Sequence, residues 1–336
     1  MNNILLAGTG SYIPEQMLTN KDVVDRLAEH GVTSAEEWIV SHTGIRERHI
    51  AAPWESTSDL GYNAARAALN RAGLKERDVD LIVCATSTPD MYLPSTACII
   101  QGKLGADNAA AMDVNAACSG FIYAIAIAYY WLKASSFSTA VVIGADTYSR
   151  IVDWRDRTSC VFFGDDAGAM VLTKGGVESG PGILGVYLGA DGANGMSITA
   201  PACGRRSVEC SSGSRNGQTN SDKLSMNGRD VYKFAVNAFP RAVKRLLEQL
   251  GRNIEDIDLL ISHQANINII RESMSRLEIN ESKAYVNIDR YGNTAAASIP
   301  VALDEALSRD LGKPGSAVMI VGFGGGLTWG SAFIDL

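Results

Sequence analysis

The chain has 336 residues, 46% of them hydrophobic and 20% charged, which is ordinary globular composition with material for a large core. Its formal charge is −7 and its pI about 5.2, with no basic run and no basic-aromatic interleaving, so the balance argues against a nucleic-acid partner. Length alone predicts about two domain-sized units.

The N-terminus, Met1-Asn2-Asn3-Ile4-Leu5-Leu6, reads as a short apolar strand running into Gly8-Thr9-Gly10. It lacks the basic start and long apolar core of a signal peptide. No apolar stretch is expected to reach membrane-spanning length without polar interruption. The six cysteines, Cys84, Cys98, Cys118, Cys160, Cys203 and Cys210, contain no CxxC pair. Without a secretion signal they predict reduced thiols in a cytoplasmic protein, not a disulfide framework.

Helical segments are expected around residues 22–27 and 36–40, and Thr43-Gly44-Ile45-Arg46-Glu47-Arg48 reads as a turn leading into a loop. An amphipathic helix is predicted over residues 58–72, with serine caps before it and Gly73 as its stop. Residues 78–85 follow, dense in β-branched side chains, as a buried strand. They have an echo at residues 256–263. Each segment follows a helix ending in a glycine five residues upstream, Gly73 and Gly251, so the offset is 178 both times (251 − 73; 256 − 78). Residues 140–144 resemble 317–321, and 164–168 resemble 326–330, each of the latter pair leading into an apolar strand. Three echoes in one order predict a duplicated α/β unit, with helices covering sheets whose parallel strands are joined through helices. The halves divide as 1–175 and 176–336, with residues 175–182 as the junction. Residues 201–222 are rich in Ser, Gly, Asn and Arg and read as a long surface loop, mobile or functional. Cys203 and Cys210 there lack histidine neighbours and make a poor zinc site, and no metal is expected.

The chemistry centres on Asn115-Ala116-Ala117-Cys118-Ser119-Gly120. A short apolar strand precedes it, and the apolar run 121–132 follows, long enough for a buried helix. Cys118 is therefore expected at a helix start, where unpaired N–H groups favour thiolate over thiol. Two candidates in the second half are His263, at the end of a buried strand, and Asn293, after Gly292. Taken singly, these read as a core cysteine, a structural histidine and a turn or cap asparagine. As a set they support two chemistries. In one, histidine deprotonates the thiol and asparagine orients the ring, as in a cysteine protease. In the other, the thiolate carries an acyl group, while histidine and asparagine donate hydrogen bonds to a thioester that becomes an enolate on losing carbon dioxide. The glycines of Gly322-Phe323-Gly324-Gly325-Gly326 permit close backbone approach and, with the Cys118 N–H, can form an oxyanion hole.

These motifs, together with His263-Gln264-Ala265-Asn266, Tyr291-Gly292-Asn293-Thr294-Ala295-Ala296, Glu37-Trp38-Ile39-Val40, Asp156-Arg157 and Phe163-Gly164-Asp165, resemble β-ketoacyl-acyl-carrier-protein synthase III from the first strand to the last residues. The resemblance implies a duplicated thiolase fold of pseudo-twofold-related halves in five α/β/α/β/α layers. It implies a homodimer that needs no cofactor. An acyl-CoA would load Cys118, and malonyl-acyl-carrier protein would decarboxylate against His263 and Asn293 and attack the acyl-cysteine. The oxyanion would lie on the N–H groups of Cys118 and Gly325, beside Phe323. Trp38 and Arg157 would flank the CoA adenine and phosphates. Phe163, Met226, Gly228, Tyr232 and Asn266 would line the substrate channel. Gln264, Ala265, Asn266, Ile267, Asn268 and Lys233 would meet the acyl carrier protein. Leu93 would close the acyl pocket of the partner subunit and, being smaller than the usual phenylalanine, would admit starters beyond acetyl.

Related classes fit less well. A degradative thiolase carries a second cysteine in the final glycine loop, absent here, and elongating synthases use a second histidine where Asn293 stands. Plant-type polyketide synthases usually carry proline in the last loop, and a non-enzymatic carrier-binding partner would lack the cysteine. The sequence departs from the family at His42 and Asn268, where many members have arginine. That leaves open a specialised pathway with a longer or branched starter, of polyketide or quinolone type.

Overall fold

The computed structural model describes residues 3–176, 180, 182–200 and 223–336. The loop 201–222, with Cys203, Cys210, Arg205, Arg206 and Arg215, lies outside the described residues.

The first half runs β1 (Ile4–Tyr12), α1 (Thr57–Ala72), β2 (Leu81–Ala85), α2 (Thr96–Leu104), β3 (Ala110–Val114), α3 (Gly120–Ala134), β4 (Thr139–Thr147) and β5 (Asp165–Lys174). The second repeats the pattern as β6 (Gly182–Ala190), α4 (Gly228–Leu250), β7 (Leu259–Ser262), α5 (Ile267–Leu277), β8 (Ala284–Tyr285), α6 (Ser298–Ser308), β9 (Ala317–Gly324) and β10 (Thr328–Asp335). Strand order is β1-β5-β4-β2-β3 in one sheet and β6-β10-β9-β7-β8 in the other, so each strand of the first half has a counterpart five numbers later.

Local chemistry sets the boundaries. α1 starts at a capping box formed by Ser56 and Asp59 and stops at Gly73 in the left-handed conformation (φ 68°). α4 stops the same way at Gly251 (φ 64°). A short 3₁₀ turn follows each stop, closed by Asp78 accepting from the Lys75 N–H (2.9 Å) and by Asp256 accepting from Asn253 (2.8 Å). The echo seen in the sequence is thus a helix stop, a turn and a buried strand, built twice.

The sheets are mixed, a feature that the expectation of parallel strands joined through helices did not include. β2 pairs in parallel with β3 and β4, and β7 with β8 and β9. β4 to β5 and β9 to β10 are antiparallel, because no crossover helix separates them. β1 and β6 also pair antiparallel, each on the far side of the half's last strand. A second correction concerns residues 47–50, expected in a loop. They form a short strand, Glu47–Ile50, paired with Gln16–Thr19.

Three apolar cores give five layers. α1 and α2 cover the outer face of the first sheet through Leu60, Ala64, Ala68 and Ile100. α4 and α5 cover the outer face of the second through Phe239, Val243, Ile270 and Met274. Between the sheets lie α3 and α6, whose Phe121, Ile125, Ile299 and Leu303 touch both inner faces. The segment Ala117–Ala134 is by length and composition apolar enough to cross a membrane, although Ser119 and Lys133 interrupt it. Its apolarity reflects burial between two sheets, as befits a helix hydrophobic all round.

Candidate active site

β3 leads to Asn115, whose Oδ1 accepts from the Ala117 N–H (3.2 Å). Ala117 is left-handed (φ 46°), and a short 3₁₀ turn, Ala117–Ser119, places Cys118 just ahead of α3. The hydroxyls of Ser119 and Thr328, 2.8 Å apart, tie this turn to the carbonyls of Ala116 and Gly325. Gly324 abuts Cys118 so closely that a Cβ there would lie 2.7 Å from the Cys118 Cβ and 2.8 Å from its nitrogen. The N–H groups of Cys118 and Gly325 both face the sulfur and favour its ionised form.

Burial outweighs them. Cys118 is 8% exposed, and desolvation, aided by the nearby Asp146 charge, pushes its thiol up to about 12. The expectation of a thiolate at rest is therefore corrected: a helix start in water lowers a thiol pKa, but this one is buried. His263 is buried too, and desolvation alone pulls it down to about 3. The resting pair is a neutral thiol and a neutral imidazole.

His263 ends β7, with its N–H bonded to the Val321 carbonyl of β9 (2.8 Å). Its Nδ1 lies 2.7 Å from the Ser298 hydroxyl, the first residue of α6. That hydroxyl also accepts from the Gln264 N–H (3.3 Å) and is placed to donate to the Ala295 carbonyl (3.0 Å). It has one proton to give. Given to Ala295, it makes Nδ1 the donor and leaves Nε2 a lone pair, suited to deprotonate Cys118. Given to Nδ1, it makes Nε2 an N–H donor, suited to a thioester carbonyl. The two states differ by the rotation of this hydroxyl and by the move of the ring proton between Nδ1 and Nε2.

Asn293 is pinned on three sides. Its N–H donates to the Phe162 carbonyl (2.9 Å), its carbonyl accepts from Gly164 (3.1 Å), and its Oδ1 accepts from the Ala295 N–H (3.0 Å). A donor at that position requires the side-chain oxygen there, so the amide orientation is fixed and Nδ2 is left for the cavity.

Cys118, His263 and Asn293 line one narrow, mostly apolar cavity of about 90 Å³, with Phe323, Gly324 and Gly325 on its wall. The sequence-based expectations Phe163, Met226, Gly228, Tyr232, Ala265 and Asn266 line it as well. Phe323 meets the His263 ring edge-on at 5.3 Å, and Phe163 stacks on Tyr148 at 4.8 Å. Tyr148, Phe162, Ile198, Val231, Phe234 and Ile269 complete the wall. Sequence reading missed these, because apolar residues from five separate segments meet only in the fold. It also missed Ser298. The available signal was a hydroxyl at a helix start five residues after Asn293.

Outside the cavity, the Arg157 guanidinium lies over the Trp38 ring at 4.6 Å and donates to the Thr33 carbonyl (2.9 Å). His42 also stacks on Trp38, at 4.4 Å. The His42 carbonyl accepts from both Asn266 Nδ2 (2.8 Å) and Asn268 Nδ2 (3.1 Å). The two positions where arginine was expected thus knit the helix Glu36–Thr43 to α5. Arg271 and Arg276 on α5 each pair with a glutamate, Glu281 and Glu272. Ile267 packs against Gly44, and Lys233 is exposed on α4. Gln264 is a correction. It is 1% exposed, with its amide spent on the Ser262 and Tyr285 carbonyls and the Asn287 N–H, so it offers nothing to a docked carrier. Leu93 does not line the cavity and is exposed, as are its neighbours Met91 and Tyr92.

The chain matches two family models, 3-oxoacyl-[acyl-carrier-protein] synthase III over residues 112–192 and its C-terminal counterpart over residues 247–336. It is 49% identical to the β-ketoacyl-[acyl-carrier-protein] synthase III of Caldanaerobacter subterraneus subsp. tengcongensis, over 98% of this chain and 96% of that one. The Clostridium acetobutylicum enzyme of the same name is 46% identical, over 98% of each. The crystal structure of 3-oxoacyl-[acyl-carrier-protein] synthase III from Aquifex aeolicus VF5 superposes with a TM-score of 0.88 at 39% identity, covering all of both chains. The priming β-ketosynthase of the R1128 polyketide pathway gives 0.88 at 32% identity, over 99% of this chain and 96% of that one.

Proposed function

The chain belongs to the 3-oxoacyl-acyl-carrier-protein synthase III family, and from that premise we propose how its residues carry the reaction. It is a condensing acyltransferase that performs the initiating condensation of fatty acid synthesis. The donor is an acyl-CoA and the acceptor malonyl-acyl-carrier protein. The observation that carries the assignment of roles is the meeting of Cys118, His263 and Asn293 in one mostly apolar cavity, with the Cys118 and Gly325 N–H groups facing the sulfur.

In the first half-reaction His263 Nε2 takes the Cys118 proton, the sulfur attacks the thioester carbon, and the tetrahedral oxygen lies on those two N–H groups. CoA leaves as the thiol, taking the proton back from the imidazolium. In the second, the ring proton has moved from Nδ1 to Nε2 and the Ser298 hydroxyl donates to Nδ1, so the malonyl thioester carbonyl accepts from Asn293 Nδ2 and from His263 Nε2–H. Its carboxylate departs as carbon dioxide, and the resulting carbanion attacks the acyl-cysteine carbonyl; collapse of that adduct breaks the C–S bond and expels the Cys118 thiolate, which regains its proton from solvent. Both donors are neutral, which suits a developing enolate and requires no further base. Arg157 and Trp38 hold the CoA head, with Arg157 swinging off the indole as it binds. Ala265, Asn266, Ile267, Asn268 and Lys233 face the carrier protein. The halves 1–175 and 176–336 each supply one side of the site, and no cofactor takes part.

The protein acts as a cytoplasmic homodimer. Among the described residues Cys84, Cys98, Cys118 and Cys160 are unpaired, as suits a reducing compartment. Every residue of β3 is half-buried although it edges a sheet of otherwise largely buried strands, and the exposed Met91 and Leu93 follow β2. An unpaired edge beside apolar side chains fits a second copy.

A second reading is favoured by His42 and Asn268, which leave the entrance short of two positive charges. Exposed charges contribute about 0.2–1 kcal/mol each, so CoA binding survives, while association slows. In that reading the enzyme primes a specialised pathway with a larger starter. The test compares kcat/KM for acetyl-CoA, longer acyl-CoAs and acyl-carrier-protein donors, each with malonyl-carrier protein and malonyl-CoA. The fatty-acid reading expects a short acyl-CoA with malonyl-carrier protein to be best. Preference for another pair overturns it in favour of the second.

A further inference from the structure

The duplication reaches the catalytic turns themselves. Asn115 and Asn293 stand 178 residues apart, as do Ala117 and Ala295, Cys118 and Ala296, and Gly120 and Ser298. In both turns the asparagine Oδ1 accepts from the N–H two residues on (3.2 and 3.0 Å), and that alanine is left-handed (φ 46° and 51°). Each turn continues through a short 3₁₀ segment into a central helix. Ala296 is therefore the counterpart of the nucleophile, and its N–H the counterpart of the oxyanion donor on Cys118.

The same offset pairs Gly144 with Gly322 and Asp146 with Gly324. Gly144 and Gly322 both lie against the partner turn: a Cβ would fall 2.3 Å from the Ala296 carbonyl oxygen in one case and 3.1 Å from the Ser119 Cα in the other. At the next inward position the halves differ. Gly324 has no side chain, and the Cys118 N–H is left for substrate. Asp146 has one, and its Oδ2 accepts the Ala296 N–H (3.0 Å). Oδ1 is held by the Ser87 N–H (2.8 Å) and by the Thr88 and Thr86 hydroxyls (3.0 and 3.2 Å). Asp146 is wholly buried.

We infer that Asp146 is a positioning residue for Asn293: its carboxyl group occupies the second half's oxyanion position and so fixes the turn that aims Asn293 Nδ2 into the cavity. The Ala296 N–H anchors the Ala295–Ala296 peptide, and the Ala295 N–H in turn holds Asn293 Oδ1. The inference rests on Asn293 serving decarboxylation, as proposed above. Burial raises Asp146 to about 7, and when ionised it opposes ionisation of Cys118, so its removal is not expected to slow acylation.

The test measures acyl-CoA loading of the cysteine and carbon dioxide release from malonyl-carrier protein, separately, in Asp146→Ala, Asn293→Ala and the double variant. Misplacing a catalytic group by about 1 Å costs roughly 10²-fold, so Asp146→Ala is expected to lose about that in decarboxylation while loading stays within about 3-fold or rises. In the Asn293→Ala background Asp146→Ala should then cost nothing further, because both act through one amide. If Asp146→Ala does not fold, Asp146→Asn keeps the shape and one acceptor oxygen, and a smaller loss confined to decarboxylation is expected. Losses that multiply in the double variant, or equal losses in both half-reactions, overturn the inference. Full decarboxylation in Asn293→Ala alone overturns instead the reading beneath it, and that single variant tells the two failures apart.

Discussion

Cys118 and His263 were each legible in the sequence as reactive residues, but their resting states were not. A helix start predicts a lowered thiol pKa, and histidine ordinarily titrates near 6.5. Burial reverses the first and shifts the second, to about 12 and about 3. Between those values both groups are neutral, and the free thiolate grows about ten-fold per pH unit as pH rises towards 12. Alkylation of Cys118 by iodoacetamide should therefore climb about ten-fold per unit from pH 6 to 9, with no plateau near the ordinary thiol value of about 8.5. Protonation of His263 removes the base only as pH falls towards 3, so the acid limb of acyl loading lies far below the usual histidine range. An alkylation rate that levels off below pH 9 contradicts the account. Ser298 carries a second expectation at this scale. Ser298→Ala leaves the buried Nδ1 without its 2.7 Å partner, and condensation should fall roughly 10–100-fold, the range seen when a group orienting an imidazole is lost. Ser298→Thr should restore much of it. Unchanged kcat in Ser298→Ala would mean that the hydroxyl does not set the tautomer.

At the scale of elements, the repeat was readable where chemistry is generic and hidden where it is specific. Gly73 and Gly251 announce themselves because a helix stop in the left-handed region selects glycine. The same offset joins Asn115 to Asn293, but one turn carries a nucleophile and the other an amide, and shared identity shrinks to asparagine and alanine. Gln264 shows the opposite failure. Its place in a motif suggested a carrier contact, whereas the fold turns its amide inward. The close glycine approaches give separable predictions. A Cβ at Gly324 strikes the Cys118 backbone, and one at Gly144 strikes the Ala296 carbonyl. Each alanine substitution should cost about 1–3 kcal/mol in urea unfolding, the usual range for overpacking. Gly324→Ala should chiefly impair cysteine loading and Gly144→Ala chiefly decarboxylation. Equal damage to both half-reactions by either variant would show that the turns do not act separately.

For the whole molecule, the duplicated architecture followed from the echoes in the sequence, and the layers from the apolar character of residues 121–132. Pairing direction did not follow, because it depends on which strands are joined without a helix. The assembly is expected to be dimeric. Sedimentation equilibrium should return twice the 35.8 kDa chain mass at micromolar concentration, and a monomer would leave the exposed Met91 and Leu93 tip and the β3 edge unexplained. The central claim is covalent: this fold presents one thiol, Cys118, to an acyl-CoA between two backbone N–H groups and a neutral histidine. Its most direct test is incubation of the protein with isotopically labelled acyl-CoA, without malonyl-carrier protein, followed by peptide mass mapping. The account predicts one acyl group per chain on the peptide containing Cys118, removed when malonyl-carrier protein is added. No label, or label on Cys84, Cys98 or Cys160 instead, contradicts it.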